Sequence, residues 1–209
     1  MKKLCLAAMA IGLAFGLNAS RAAASSQQDA QSSAQSKDST SPSYDLKAQA
    51  IEDLQDMQKK FADLAGAIPA EKYSWRPGEG VRSIGEVYLH IVAANHNIPV
   101  YMGAPKQAQY TAKEFEKSVT DKQQIIAMLN ESFEYAISVV KGMTNADFAK
   151  PQKQLGPDAN SGDVVYLLVT HAHEHLGQSI AYARMNGVVP PWTAAAMAKA
   201  KAAGNNDKD

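Results

Sequence analysis

The sequence predicts an all-α protein, a four-helix bundle with long crossover loops, and three observations carry that reading. Apolar residues recur at alternating steps of three and four in four separate stretches, the period of helices with one buried stripe. No run between them alternates with the period of two that a half-buried strand requires, and no internal repeat or glycine-rich phosphate loop occurs. Two of the connections are long, 67–83 and 98–119, which disfavours a simple up-down-up-down hairpin order.

The first helix is expected after Ser41-Pro42, an N-cap followed by proline at the first helical position. Tyr44, Leu46, Ile51, Leu54, Met57, Phe61 and Leu64 form its apolar stripe. The second opens with Ser83-Ile84-Gly85-Glu86, a capping-box pattern, and runs through Val87, His90, Ile91 and Ala94 to about Asn97, where Pro99 closes it. The third starts near Thr120, with Gln123 three residues on, carries Ile126, Leu129, Phe133, Ile137 and Val140, and ends near Gly142. The fourth spans 162–186, from an N-cap at Ser161 to a stop at Gly187 and Pro190-Pro191. Its seam is Val164, Leu168, His171, His175, Gln178 and Tyr182.

The fourth helix contains Thr170-His171-Ala172-His173-Glu174-His175, three of the chain's five histidines. On a strand all three would share a face. On a helix His171 and His175 stand about 40° apart, while His173 is turned about 200° from His171. The helical period therefore pairs His171 with His175 and sends His173 to the surface. A lone inward histidine is more often a hydrogen-bonded core residue than a ligand. Two at i and i+4 need two sets of buried partners, a demand that a metal ion meets at about 2.0–2.1 Å from each ring nitrogen. His90, on the buried side of the second helix, is the expected third ligand. Three histidines from two helices make an open site, since a structural zinc normally has four protein ligands. His96, six residues after His90, is expected outside the site. Glu86 has two readings, acceptor for the His90 ring or partner in the capping box, and the second is preferred. The run lacks the H-E-x-x-H order of zinc proteases and with it their usual general base, so no catalytic residue is assigned. Trp75, Arg76, Tyr101 and Met102 are pocket candidates from the long loops.

The ends of the chain read differently. Lys2 and Lys3 precede an apolar Leu4–Leu17 segment and an Ala22-Ala23-Ala24 cleavage signal, so 1–24 is expected to be a signal peptide and the destination the bacterial periplasm. Residues 25–43 form a Ser/Gln-rich spacer expected to be disordered, 44–192 the folded domain, and 193–209 an Ala/Lys-rich tail to which no structure is assigned. The single cysteine, Cys5, lies within the apolar segment. A mature chain without it has no protein thiol nucleophile, disulfide or thiolate ligand. The whole chain is formally neutral, with 21 basic and 21 acidic residues. Loss of Lys2, Lys3 and Arg21 leaves it mildly acidic, which argues against a nucleic-acid partner. Stable membrane insertion after cleavage is not expected either.

Taken together, several segments resemble the DinB/YfiT-like metalloproteins, above all their DinB-like domain. They are Ile68-Pro69 with Tyr73-Ser74-Trp75-Arg76-Pro77, Ser83-Ile84-Gly85-Glu86-Val87-Tyr88-Leu89-His90, and His171 to Gln178 followed by Tyr182, Arg184, Asn186-Gly187 and Pro190-Pro191. The likeness covers about 45–191. It implies a four-helix fold and a divalent ion, zinc or nickel, held by one histidine of the second helix and an H-x-x-x-H pair of the last, which correspond to His90, His171 and His175. It also implies a small-molecule substrate, a thiol cosubstrate in some relatives, and pairing into a homodimer. The expected function is metal-dependent hydrolysis or thiol-dependent transfer. The reading from a different class is a non-catalytic metal or small-ligand binder.

Overall fold

The computed structural model describes residues 45–112 and 114–206. The expected signal peptide, the spacer, and the Ser41-Pro42 start of the first helix with Tyr44 all lie outside them. Four long helices form the bundle: α1 (Leu46–Ala67), α2 (Ile84–Asn97), α3 (Lys122–Gly142) and α5 (Ser161–Met185), with a one-turn helix α4 (Asn145–Phe148) and a terminal helix α6 (Pro191–Asn206). No strand occurs among the described residues, only an isolated bridge between Pro151 and Asn160.

Each long helix starts where a side chain satisfies an orphan backbone N–H. The first helix is capped four residues later than the expected Ser41, by Asp45, which accepts from the Ala48 N–H at 3.0 Å. Ser83 and Glu86 make the reciprocal capping box, Ser83 N–H donating to Glu86 at 2.8 Å and Glu86 N–H to Ser83 Oγ at 3.3 Å. The other two caps are each shifted by one residue from expectation. Asp121, not Thr120, caps α3 by accepting from Gln124 N–H at 2.8 Å. Asn160, not Ser161, caps α5, accepting from Gly162 N–H at 2.7 Å while Asp163 reaches back to its N–H at 2.8 Å. In both pairs two cap-forming residues are adjacent, and the one whose donor lies in reach takes the position. Helix α5 ends in a Schellman-type turn: Gly187 adopts φ +76° and Val188 N–H bonds Ala183 C=O at 2.9 Å.

Helix α1 packs against α3 and α5, and α2 packs against the same two, so α1/α2 and α3/α5 lie across the diagonals of the bundle. A diagonal step needs a long connection, which explains the 68–83 crossover between α1 and α2. It also explains 143–160 between α3 and α5, a third long connection beyond the two expected from the sequence. The core centres on Phe61, whose ring meets Tyr88 edge-on at 6.3 Å and Phe133 at 5.7 Å. Leu54, Met57, Leu64, Leu129, Phe133, Val164 and Leu168 close around it, all at most 1 % exposed. Truncating Phe61 to Ala is expected to cost about 3–5 kcal/mol.

The crossovers are anchored rather than draped. Tyr73 donates its hydroxyl to Ala65 C=O at 2.8 Å, and its own carbonyl accepts the Gly85 N–H at 2.9 Å. A Cβ at Gly85 would come within 3.4 Å of both the Tyr73 carbonyl and Ile125, which is why glycine stands there. Lys122 Nζ caps the open carbonyls of Gly66 (2.8 Å) and Ile68 (2.7 Å) at the end of α1. The 98–121 connection winds through three short 3₁₀ turns, Ile98–Met102, Ala108–Thr111 and Phe115–Lys117. Asn97 holds its middle by donating to Tyr110 C=O at 2.9 Å, and Phe115, 8 % exposed, is buried in the core. The tail that carried no expected structure continues as α6 straight through residue 192, with Trp192 half-buried against the bundle. None of the described helices is long and apolar enough to cross a membrane.

Candidate metal centre

Helix α2 presents His90, and α5 presents His171 and His175, one turn apart. One ligating atom from each lies within 4.8 Å of the others. The Nε2 atoms of His90 and His171 are 3.3 Å apart, and the ring centroids lie at 5.2 Å (His90–His171), 4.7 Å (His90–His175) and 4.5 Å (His171–His175). Two ligands about 2.05 Å from one tetrahedral ion stand about 3.3–3.4 Å apart, so the closest pair already has that spacing. Imidazole nitrogens suit zinc, nickel, copper or iron. His173 is exposed, as its helical phase requires.

The remaining ring nitrogens decide the tautomers. Glu116 Oε1 lies 2.7 Å from His90 Nδ1, and Gln178 Oε1 lies 2.8 Å from His175 Nδ1. An oxygen acceptor keeps a proton on Nδ1 and leaves the Nε2 lone pair facing the cluster. Gln178 is itself oriented, donating Nε2–H to the Tyr182 hydroxyl at 3.0 Å, and Trp75 packs edge-on against Tyr182 at 5.5 Å. His171 Nδ1 is buried with no hydrogen-bond partner among the described residues.

Charge follows from the same contacts. Burial, with the neighbouring His175 and His90 and the more distant Arg82 adding to it, pulls His171 down to about 4. Burial also lowers His90, although Glu116 opposes it. For Glu116, burial pushes the carboxyl up, but the bonds from Arg82 and His90 outweigh that and hold it below the usual range. All three groups are therefore in their metal-ready forms at neutral pH: two neutral rings and an ionised carboxylate. Arg82 grips that carboxylate through Nε at 2.5 Å and Nη2 at 3.1 Å.

Two cavities share Glu116, and one of them reaches His90. One, about 560 Å³, is lined by Arg76, Val81, Arg82, Glu86, Lys117 and Gln178. The other, about 410 Å³, is lined by His90 itself with Ala93, Ala94, Tyr110 and Phe115. Of the pocket candidates, Arg76 lines the first cavity, where it bonds Glu86 at 3.1 Å, and Trp75 backs Tyr182. Tyr101 is 42 % exposed and Met102 packs on the core; neither lines these cavities. Glu86 serves the capping box and Arg76, not the His90 ring. His96 is held elsewhere, stacked between Tyr110 (3.8 Å) and Tyr135 (4.5 Å). Glu116 and Arg82 were missed because they lie in irregular loop, 26 and 8 residues before or after His90, with no period to single them out. Gln178 was legible as a seam residue three positions after His175, but not as its acceptor.

Comparison with known proteins agrees with this architecture. The pattern of the DinB superfamily matches residues 53–179. No curated protein matches the chain. Among solved structures, a DinB-like protein from Bacillus cereus is 19 % identical with a TM-score of 0.56, over 66 % of this chain and 93 % of that one. The DinB-like protein YjoA from Bacillus subtilis is also 19 % identical, with a TM-score of 0.53 over 66 % and 92 %. YfiT from Bacillus subtilis, described as a probable metal-dependent hydrolase with an unusual four-helix bundle topology, is 16 % identical with a TM-score of 0.56 over 71 % and 91 %. At these identities the likeness shows the fold.

Proposed function

The chain belongs to the DinB superfamily, and from that premise we propose that it is a divalent-metal-dependent hydrolase of small molecules whose ion is held by His90, His171 and His175. The observation that carries the reading is the convergence of these three imidazoles with oxygen acceptors behind two of them. Three protein ligands leave coordination positions for substrate and water, which a structural site would fill. The description of YfiT as a probable metal-dependent hydrolase supports the same chemistry. The ion, zinc or nickel, supplies Lewis acidity, polarising a carbonyl or phosphoryl oxygen and acidifying water at the same centre.

The protein's own residues supply orientation and access. Glu116 and Gln178 fix the rings of His90 and His175. Both Glu116 oxygens are already engaged by Arg82 and His90, so this carboxylate orients and does not act as a general base. The 410 Å³ cavity, whose wall includes His90, admits a small substrate to the cluster, and Arg76, Arg82 and Lys117 line the neighbouring cavity that shares Glu116 with it. The reading includes export to the periplasm, supported by Lys2-Lys3, the Leu4–Leu17 segment and Ala22-Ala23-Ala24. N-terminal sequencing of the protein recovered from cells is expected to begin near Ser25, and an intact Met1 would overturn the export.

Metal analysis of protein purified without a nickel column is expected to find about one ion per chain. The metal-loaded protein is then expected to hydrolyse members of an ester, lactone and amide panel, with activity lost to a chelator and restored by zinc or nickel. Turnover only when a low-molecular-weight thiol is added would replace hydrolysis by thiol transfer. Inert, fully loaded protein would make it a binder.

A further inference from the structure

We propose that Glu116, clamped by Arg82, is the positioning residue of His90, and that the two long loops flanking α2 are thereby part of the metal centre. The inference rests on the reading of His90 as a ligand. Arg82 stands at the end of the first crossover, one residue before the Ser83 cap, and Glu116 sits in the Phe115–Lys117 turn of the second. The two meet through paired contacts, and the resulting carboxylate reaches His90 Nδ1 at 2.7 Å. Phe115, the neighbour of Glu116 in the turn, is buried in the core and anchors it.

The three histidines are not held alike. Among the described residues His175 has an amide oxygen behind it, His171 has no partner on Nδ1, and His90 has a carboxylate. A carboxylate without a proton can only accept, so it holds His90 in one tautomer, prevents the ring from turning, and raises the basicity of Nε2. The paired N–H contacts from Arg82 hold that carboxylate in place. The competing account is an ion pair that only ties two loops together, with His90 as a bystander. Such a pair would contribute to folding and leave the affinity for metal unchanged.

The test uses the full chain. Zinc affinity is measured by chelator competition and the ligand field by the visible absorption of the Co²⁺ form, with the Tm of the metal-free protein recorded for each variant. Glu116→Ala is expected to weaken zinc binding about 10- to 100-fold and to shift the Co²⁺ bands. Glu116→Gln keeps an acceptor oxygen and is expected to recover most of the affinity. Arg82→Met is expected to show a smaller loss than Glu116→Ala. Glu114→Ala, on the same turn with its side chain 67 % exposed, is expected to bind as the wild type does. Wild-type affinity and an unshifted Co²⁺ spectrum in Glu116→Ala would overturn the inference, as would equal losses in Glu116→Ala and Glu116→Gln. If Glu116→Ala does not fold, Arg82→Met decides, and unchanged affinity there overturns the clamp. A wild-type protein that takes up no ion overturns the ligand reading itself; a wild type that binds tightly beside an unaffected Glu116→Ala overturns only the role of Glu116.

Discussion

His90 and His96 lie six residues apart on α2, and the same crossover reaches both, yet they occupy opposite kinds of environment. His90 meets two other imidazoles and a carboxylate. His96, 7 % exposed, is sandwiched between the rings of Tyr110 and Tyr135, nearly parallel to the first at 6°, with Gln107 Nε2 3.2 Å from its Nδ1. Burial lowers both, His96 to about 4. A buried, neutral histidine is therefore no sign of a metal. What separates the two is convergence: lone pairs directed at a common point with acceptors behind them, against a ring whose two faces are already covered.

The sharpest break between the regions is metal retention. His175→Ala is expected to lower zinc affinity at least 100-fold, while His96→Ala keeps the ion; competition with a chelator reads both. Stability should order the other way in metal-free protein. His96→Ala removes a ring stacked on both sides and is expected to cost about 2–3 kcal/mol by urea unfolding. The pH profile sharpens this further. His96 binds a proton near 6.5 in the unfolded chain but only near 4 when folded, so its contribution is present above 6.5 and is lost as the pH falls towards 4. His96→Phe is expected to flatten the fall in Tm over that window, leaving the part due to His171 and His90. An unaltered slope would show that the sandwich does not exclude the proton. The smallest effect belongs to His173→Ala, on the exposed face of α5, expected to change neither metal content nor Tm. Loss of the ion there would break the helical-face assignment.

The same contrast shows what a single sequence can disclose. The seam of α5 and the inward phase of His90 are written in a 3.6-residue period, so the fold class and the grouping of His90 with His171 and His175 could be read directly. The Ser83–Glu86 box was equally local. Glu116 and Tyr110 are not local in this sense. They sit in short 3₁₀ turns, where no period repeats long enough to assign a face, and they reach α2 only because Phe115 and Asn97 fix the path of the crossover. The 143–160 connection was missed for a related reason. Its one-turn helix and its bridge are each too short to register as elements, although a Thr144–Asp147 capping box marks the former.

His90 and His171 are separated by 81 residues of chain and come from helices that touch along one side of the bundle. An ion shared between them closes a loop of that length, as a covalent crosslink would, in a folded domain whose described residues include no cysteine. By the loop-closure relation for a crosslink, a loop of this size lowers the entropy of the unfolded chain by about 4–5 kcal/mol at room temperature if the link persists there. A metal bond does not persist when the ligands disperse, so the gain is instead set by ion concentration relative to its dissociation constant. With an ion bound at the proposed site the bundle would carry a reversible staple, tight where the ion is plentiful and absent where it is scarce, and its resistance to unfolding would rise and fall with the metal supply around it.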